Sequence, residues 1–237
     1  MRTLKRLALR FYRFPGPTLN TASERGLRSW SGLLLPAAES HAFRALNVGG
    51  GGRPLPPRAV NRRIRDATLA MDIRSTPQVR VVGDALALPF ADASFDGALP
   101  LALLEHVSDS RLAVSEMSRV LKPGGLLYCE VPFLQVYHPS PDDYLRFTAS
   151  GLRRLCAGFE EIELGVCVGP SSALSWVLRA YLVGILTGFS WSRRARRIAE
   201  FFAAWLTFPV KYLDLLVARR PAAAEMASAF YFLGRKA

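Results

Sequence analysis

The run LNVGGGG, Leu46 to Gly52, decides the fold. A short apolar strand followed at once by glycines lets the backbone close on a ligand that a Cβ would exclude. Taken alone, the four glycines describe a flexible turn as well as a binding loop. What surrounds them separates the two readings. Short apolar runs ending in Gly or Asp predict strands at 45–48, 68–73, 79–82, 97–99 and 126–131. The segment 53–66 carries three prolines, so the helix of the first crossover must be truncated. Ser108 or Asp109 is placed to cap a helix with the apolar stripe Ala113, Val114, Met117, Val120 and Leu121, which Lys122-Pro123-Gly124-Gly125 stops. Strands alternating with helices imply βα units and a parallel sheet with right-handed crossovers.

Asp72 stands at the end of the second predicted strand. A carboxylate there accepts two hydrogen bonds from adjacent ribose hydroxyls, or else caps the next turn. A nicotinamide enzyme of the short-chain type is disfavoured, because Pro54 occupies the third glycine position of GxGxxG and no Tyr-x-x-x-Lys pair occurs.

GDALALPFADASFDGALPLALLEHV, Gly83 to Val107, followed by EMSRVLKPGGLLYCEVP, Glu116 to Pro132, closely resembles the class I S-adenosylmethionine-dependent methyltransferases of the UbiE-like, type 11 family. The resemblance spans residues 46–155. It implies an α/β fold: a Rossmann-like seven-stranded, mostly parallel sheet with helices on both faces and a last strand at 229–234. It also implies S-adenosyl-L-methionine as cofactor, with Gly49 and Gly51 beside its methionine part and Asp72 on the ribose. Ile73 would lie against the adenine, Asp84 and Ala85 at the adenine amino group, and Pro100 and Leu101 along the methionine side. Two positions depart from the family: Asn47 replaces the usual acidic residue and Arg53 the usual third glycine. Asn47 can hydrogen-bond the cofactor but cannot attract its ammonium by charge. Glu105-His106 looks like a catalytic pair, but the matching family positions mostly brace the following helix.

Acceptor-side candidates follow the fifth strand in PFLQVYHPSPDDYLRFT, Pro132 to Thr148. Loops at the carboxyl ends of parallel strands form the binding crevice. His138, Asp143, Tyr144 and Arg146 offer a base, an acceptor, an aromatic face and a cation, with His138 and Asp143 the catalytic candidates. The same run also reads as a helix start, Pro141 and Asp142 supplying turn and cap. Its His-x-x-Pro-x-Asp-Tyr-x-Arg-Phe pattern resembles methyltransferases found with polysaccharide and lipid-linked glycan biosynthesis. The expected acceptor is therefore a hydroxyl on a glycan or lipid-linked molecule.

The net charge of +12 is unevenly spread. Residues 1–30 hold seven basic against one acidic residue and 171–237 ten against three, whereas 31–170 sum to −1. The sheet region is thus neutral, and it lacks the Asn/Asp-Pro-Pro-Tyr type of base clamp after the fourth strand, so nucleic acid is not an expected partner. The basic ends are also the apolar ones, which points to an anionic membrane surface. Residues 1–14 alternate basic and apolar residues as a short amphipathic helix, within a lead-in to residue 44. The sheet domain occupies 45–170 and the final strand 229–237, with an apolar and basic helical insertion at 171–228. One insertion stripe runs Leu174, Val177, Leu178, Tyr181, Leu182, Ile185, Leu186 and Phe189. A second apolar run, 198–217, is interrupted by Pro209, Lys211 and Asp214, and Ser192 to Arg197 reads as a basic linker between them. Arg179 inside the first stripe disfavours a bilayer span, leaving an interfacial helix, a lid or a dimer face. Cys129, Cys156 and Cys167, widely spaced and without a CxxC pair, suggest neither a disulfide framework nor a zinc site, and no metal is expected. The expected location is the cytoplasm, peripheral on the inner face of the membrane.

Overall fold

The computed structural model describes residues 16, 18–19, 23–40, 42–51, 54–188 and 192–237. The predicted N-terminal amphipathic helix, Gly52, Arg53 and Phe189 lie outside the described residues. The strands are β1 (Ala45–Val48), β2 (Thr68–Asp72), β3 (Val81–Val82), β4 (Phe95–Pro100), β5 (Leu121–Pro132), β6 (Phe159–Val168) and β7 (Ala229–Lys236). They form one sheet in the order β3-β2-β1-β4-β5-β7-β6. All neighbours pair in parallel except β7, which runs antiparallel between β5 and β6. Strand order therefore reverses between β1 and β4, and the crevice opens at their carboxyl ends, where Val48 pairs with both Met71 and Pro100.

Helices α1 (Ser23–Ser40) and α2 (Arg62–Asp66) cover one face of the sheet, and α3 (Ser110–Val120) and α4 (Ala149–Leu155) the other. Trp30 of α1 is fully buried with Leu27 and Leu34 in one core with Tyr128 and Tyr231, while Met117 of α3 shares the core of the opposite face with Phe230 and Phe232. The alternation along β7 thus feeds both cores. The first crossover helix is indeed short, and Asn61 caps it by accepting the Arg63 N–H. At α3 the cap is Asp109, whose carboxylate accepts the N–H groups of Arg111 and Leu112 at 3.0 Å each.

Local boundaries depart from the sequence reading in three places. The Lys122 to Gly125 turn does not stop α3: the helix ends at Val120, Leu121 already pairs with Phe95, and the next β4–β5 pair is Gly97 with Leu126. The four residues between form an irregular bulge at the start of β5. The third strand shrinks to Val81–Val82. Ser192 to Arg197 is not a linker, since α6 (Arg193–Thr207) begins inside it. Arg194, Arg196 and Arg197 near its start are unfavourable to the helix dipole.

Between β6 and β7 lie α5 (Pro170–Thr187), α6, a 3-10 segment (Phe208–Leu213), α7 (Asp214–Val217) and a second 3-10 segment (Pro221–Met226). The polar residues that interrupt the second apolar run are structural. The buried Asp214 carboxylate accepts the Ser171 N–H at 2.8 Å, the Ser172 N–H at 3.0 Å and the Ser172 hydroxyl at 2.6 Å. It caps α5 from a distance, where the Gly169 N-cap has no side chain to do so. Lys211 donates to the Gly16 carbonyl at 2.7 Å, and the Leu19 N–H donates to Ser172 Oγ at 3.0 Å.

Candidate active site

The glycine loop leaves β1 held by two bonds. The Gly49 N–H donates to the Met71 carbonyl at 2.8 Å, and the Gly51 N–H donates to Asp72 Oδ2 at 2.8 Å. Gly49 has φ +72°, and a Cβ there would stand 2.4 Å from Leu103 Cδ1, so only glycine fits. A Cβ on Gly50 would strike the Asn47 amide at 2.4 Å. Asn47 lies buried beneath the loop, and its Oδ1 has no hydrogen-bond partner among the described residues. An orphaned buried acceptor under a cradle closed to side chains is the arrangement expected where a bound molecule supplies the missing donor.

Asp72 is 4% exposed and uses one lone pair on each oxygen: Oδ2 for Gly51 and Oδ1 for the Arg74 N–H at 2.9 Å. A carboxylate has about four acceptor positions, so a ribose hydroxyl remains within its capacity. Ile73 follows β2 with an exposed side chain. Asp84 is exposed and accepts the Leu86 N–H through Oδ1 at 2.9 Å, with Ala85 buried beside it. Pro100 ends β4, and Leu101 continues the sheet in a single bridge to Glu130. Ala102, which the sequence did not single out, has φ +51°, a left-handed conformation that strains a non-glycine residue and turns the chain sharply into the 103–109 segment.

The four acceptor-side candidates separate into two kinds. Arg146 and Asp143 form a bidentate pair, with Nη1 on Oδ1 and Nη2 on Oδ2 at 2.6 Å. Arg146 also donates to the carbonyls of Gln135, Val136 and Leu145. Asp143 in turn accepts the His138 N–H at 2.8 Å. These hydrogen bonds hold the Asp143 carboxyl far below the usual carboxylate range and raise Arg146. Asp143 is therefore no proton acceptor near neutral pH, and Arg146 is committed to the loop rather than to a substrate. The pair clips residues 135–146 into shape. Tyr144 is exposed, its hydroxyl donating to Asp142 Oδ2 at 3.2 Å, which raises its pKa.

His138 is the candidate left free to act. Its Nδ1 lies 2.8 Å from the Val136 carbonyl and its Nε2 lies 4.0 Å from Glu105 Oε1. The sequence reading casts Glu105 as a brace for the following helix, and its carbonyl accepts the Tyr144 N–H at 2.8 Å. Neither of its carboxylate oxygens has a hydrogen-bond partner among the described residues, although the residue is 0% exposed. Burial pushes its carboxyl up to about 7. His106 brings Nε2 to 3.7 Å from the same Oε1, with its own Nδ1 2.6 Å from the Asp142 carbonyl. The two imidazoles meet edge to face, centroids 5.4 Å apart. Trp176 of α5 lies against His138 at 5.4 Å between centroids, so the insertion contributes a wall to the site. No sequence signal foretold that contact. Arg74 Nη2 donates to Ser140 Oγ at 3.2 Å, joining the β2 loop to the 138–146 loop. An open groove of about 730 Å³ between the start of α3 and α4 contains none of the catalytic or cofactor candidates.

Residues 58–129 match the methyltransferase domain family. Over 64 residues the chain is 45% identical to O-methyltransferase rstn1 of Aspergillus nomiae, covering 27% of this chain and 28% of that protein. It is 31% identical over 116 residues to the demethylmenaquinone methyltransferase of Corynebacterium glutamicum, covering 48% and 49%. The chain thus spans about a quarter to a half of the curated relatives it matches. Among solved structures, the 4+2 cyclase SpnF superposes with a TM-score of 0.50 at 21% identity, over 88% of this chain and 80% of that one. That likeness is one of fold: a Rossmann-like, mostly parallel seven-stranded sheet. Residues 58–129 are thus similar to a methyltransferase domain, and the likeness to the curated relatives covers only part of the chain.

Proposed function

We propose that the protein transfers a methyl group from S-adenosylmethionine to a hydroxyl of a glycan or lipid-linked acceptor at a membrane surface. The observation that carries this reading is the cradle at β1: Gly49 and Gly50 closed to any Cβ, the orphaned Asn47 Oδ1 beneath them, and Asp72 at the loop's edge. When bound, S-adenosylmethionine supplies a methyl carbon whose bond to sulfur breaks as the bond to the acceptor oxygen forms. The chain's own part is placement and help with proton loss. The cradle and Asp72 fix the donor side, and the clipped loop fixes His138. Glu105, His106 and His138 converge beside that loop and assist loss of the hydroxyl proton.

The membrane part rests on the insertion. Its small residues Ser171, Ser172, Ala173, Ser175, Ala199 and Ala203 face inward, while Leu174, Val177, Tyr181, Ile185, Ile198, Phe202 and Leu206 are exposed. Arg194, Arg196 and Arg197 are exposed at the start of α6. Among the described residues no helix is long and apolar enough to cross a membrane, so adsorption flat on an anionic surface is the mode these features favour.

Calorimetry with S-adenosylmethionine tests the donor side, with binding expected in the intact protein and at least tenfold weaker in Asp72→Ala. Labelled cofactor incubated with lipid and glycan extracts tests the acceptor. Binding without transfer to any extract would favour a scaffold that kept the fold and lost the chemistry, and no binding at all would end the donor-side reading.

A further inference from the structure

We infer that Glu105, His106 and His138 form a divalent transition-metal site whose open position receives the acceptor oxygen. The second half of that statement rests on the methyl-transfer reading, and the first half stands without it.

The argument is one of counting protons. Each Nδ1 faces a backbone carbonyl, Asp142 for His106 at 2.6 Å and Val136 for His138 at 2.8 Å. A carbonyl only accepts, so these contacts favour hydrogen on both Nδ1 atoms, at His138 over the longer 3.4 Å approach of Arg146 Nη2, and in neutral rings of that tautomer both Nε2 atoms are bare lone pairs. Those lone pairs look at Glu105 Oε1 from 3.7 and 4.0 Å. With Glu105 ionised, three acceptors therefore converge with no donor among them, around a carboxylate sealed from solvent whose oxygens have no hydrogen-bond partner among the described residues. Left so, the arrangement is costly. Protonating one ring does not repair it, because both separations exceed hydrogen-bond length.

A metal ion repairs it at all three points. Two imidazoles and a carboxylate are the ligands zinc and its neighbours take, with a fourth position open. The backbone carbonyls behind each Nδ1 are the supports that ligating histidines usually have. The three ligand atoms lie within 4.8 Å of one another. Tetrahedral donors at about 2.1 Å from a metal stand roughly 3.4 Å apart, so modest side-chain rotation closes the set. The other charges acting on Glu105 are Arg146, whose Nη2 is 3.4 Å from His138 Nδ1, its partner Asp143, which neutralises it, and Glu130. In that open position the metal draws the hydroxyl's electrons and lowers its pKa. The proton leaves to solvent and the oxygen is left as the nucleophile.

Titration of chelator-treated protein with Co²⁺ alone, without cofactor, tests the site. One equivalent should bind, giving visible ligand-field bands of a four- or five-coordinate ion, and Zn²⁺ should abolish them by competition. Of the three histidines in the chain, His106 and His138 should shift in ¹⁵N-imidazole spectra while His41 stays. Glu105→Gln and His138→Gln, with unchanged circular dichroism, should each weaken binding at least 100-fold. Should either variant unfold, His106→Gln and the histidine spectra of the intact protein decide instead. No bands, or bands that survive all three substitutions, would overturn the inference. Failed S-adenosylmethionine binding alongside normal Co²⁺ binding would sink the functional reading and leave the metal site standing.

Discussion

The sheet domain and the insertion solve the same packing problem in opposite ways. Around the sheet, large apolar groups are inside: Trp30, Met117, Phe230 and Phe232 are fully buried. In the insertion the inside is small and polar, with Ser172 and Ser175 at 0% exposure, while Phe202 and Leu206 are 63% and 70% exposed. Water rewards the first arrangement. The second is the one helices adopt where their surroundings are apolar, with small residues and hydroxyls joining them and large side chains outward. Ser175 donating to the Thr207 carbonyl at 3.0 Å is such a join. On the proposed reading one chain serves two solvents, and α5 would carry both, since Trp176 touches the site while Leu174 and Val177 beside it face out.

The largest expected effect lies in the water-built half. Trp30→Ala should cost about 3–5 kcal/mol in urea unfolding, because nothing can collapse into the space between α1 and the sheet. A cost under 1 kcal/mol would mean that α1 is not part of the cooperative core. Next comes the insertion's interior. Asp214→Ala strands the Ser171 and Ser172 N–H groups and the Ser172 hydroxyl, for roughly 2–4 kcal/mol. Hydrogen exchange should show the loss confined to α5, α6 and the segments after them. Loss spread evenly over the sheet would erase the division between the two regions.

Sequence reading captured the sheet because its signals are local: apolar runs, a glycine loop, a capping aspartate before α3. It located the insertion's helices for the same reason, but periodicity gives a stripe without a direction. Leu174, Val177 and Tyr181 have identical spacing whether they face a core or a solvent. The site was legible only in its types. His138 and Asp143 looked alike as candidates until Arg146 was seen to take Asp143 and leave His138 a free ring nitrogen. Glu105 reads as a brace in the sequence, which does not show that its carboxylate lacks a hydrogen-bond partner among the described residues. Trp176 was silent altogether, since its role depends on how a distant helix docks.

Glu105 gives the third test. Its folded pKa of about 7 exceeds the ordinary 4.5, so folding favours the protonated form. That contribution is complete below about pH 4.5 and is lost as pH rises through 7, an effect of up to about 3 kcal/mol. Unfolding of chelator-treated protein between pH 4.5 and 8 should show this decline, and Glu105→Gln should flatten it. An unchanged slope in the variant would assign the decline to other groups.

The smallest effect on stability sharpens the comparison most. Phe202 is 63% exposed on the outward face of α6, one turn beyond Ile198 and one before Leu206. If that face meets water, Phe202→Ser removes an apolar side chain that was contributing little, and unfolding should change by less than about 0.5 kcal/mol. If it meets a bilayer interface, the same substitution withdraws an aromatic group from the membrane, where burial of a Phe side chain is worth about 1.5–3 kcal/mol. Recovery with phosphatidylserine vesicles in flotation should then fall about tenfold or more, while recovery with neutral vesicles stays low throughout. Stability and adsorption thus move independently at one residue, as they must where the exposed face belongs to a second solvent. A variant that floats as well as the intact protein would return the insertion to the role of a lid or a dimer face, with its large side chains waiting for protein instead of lipid.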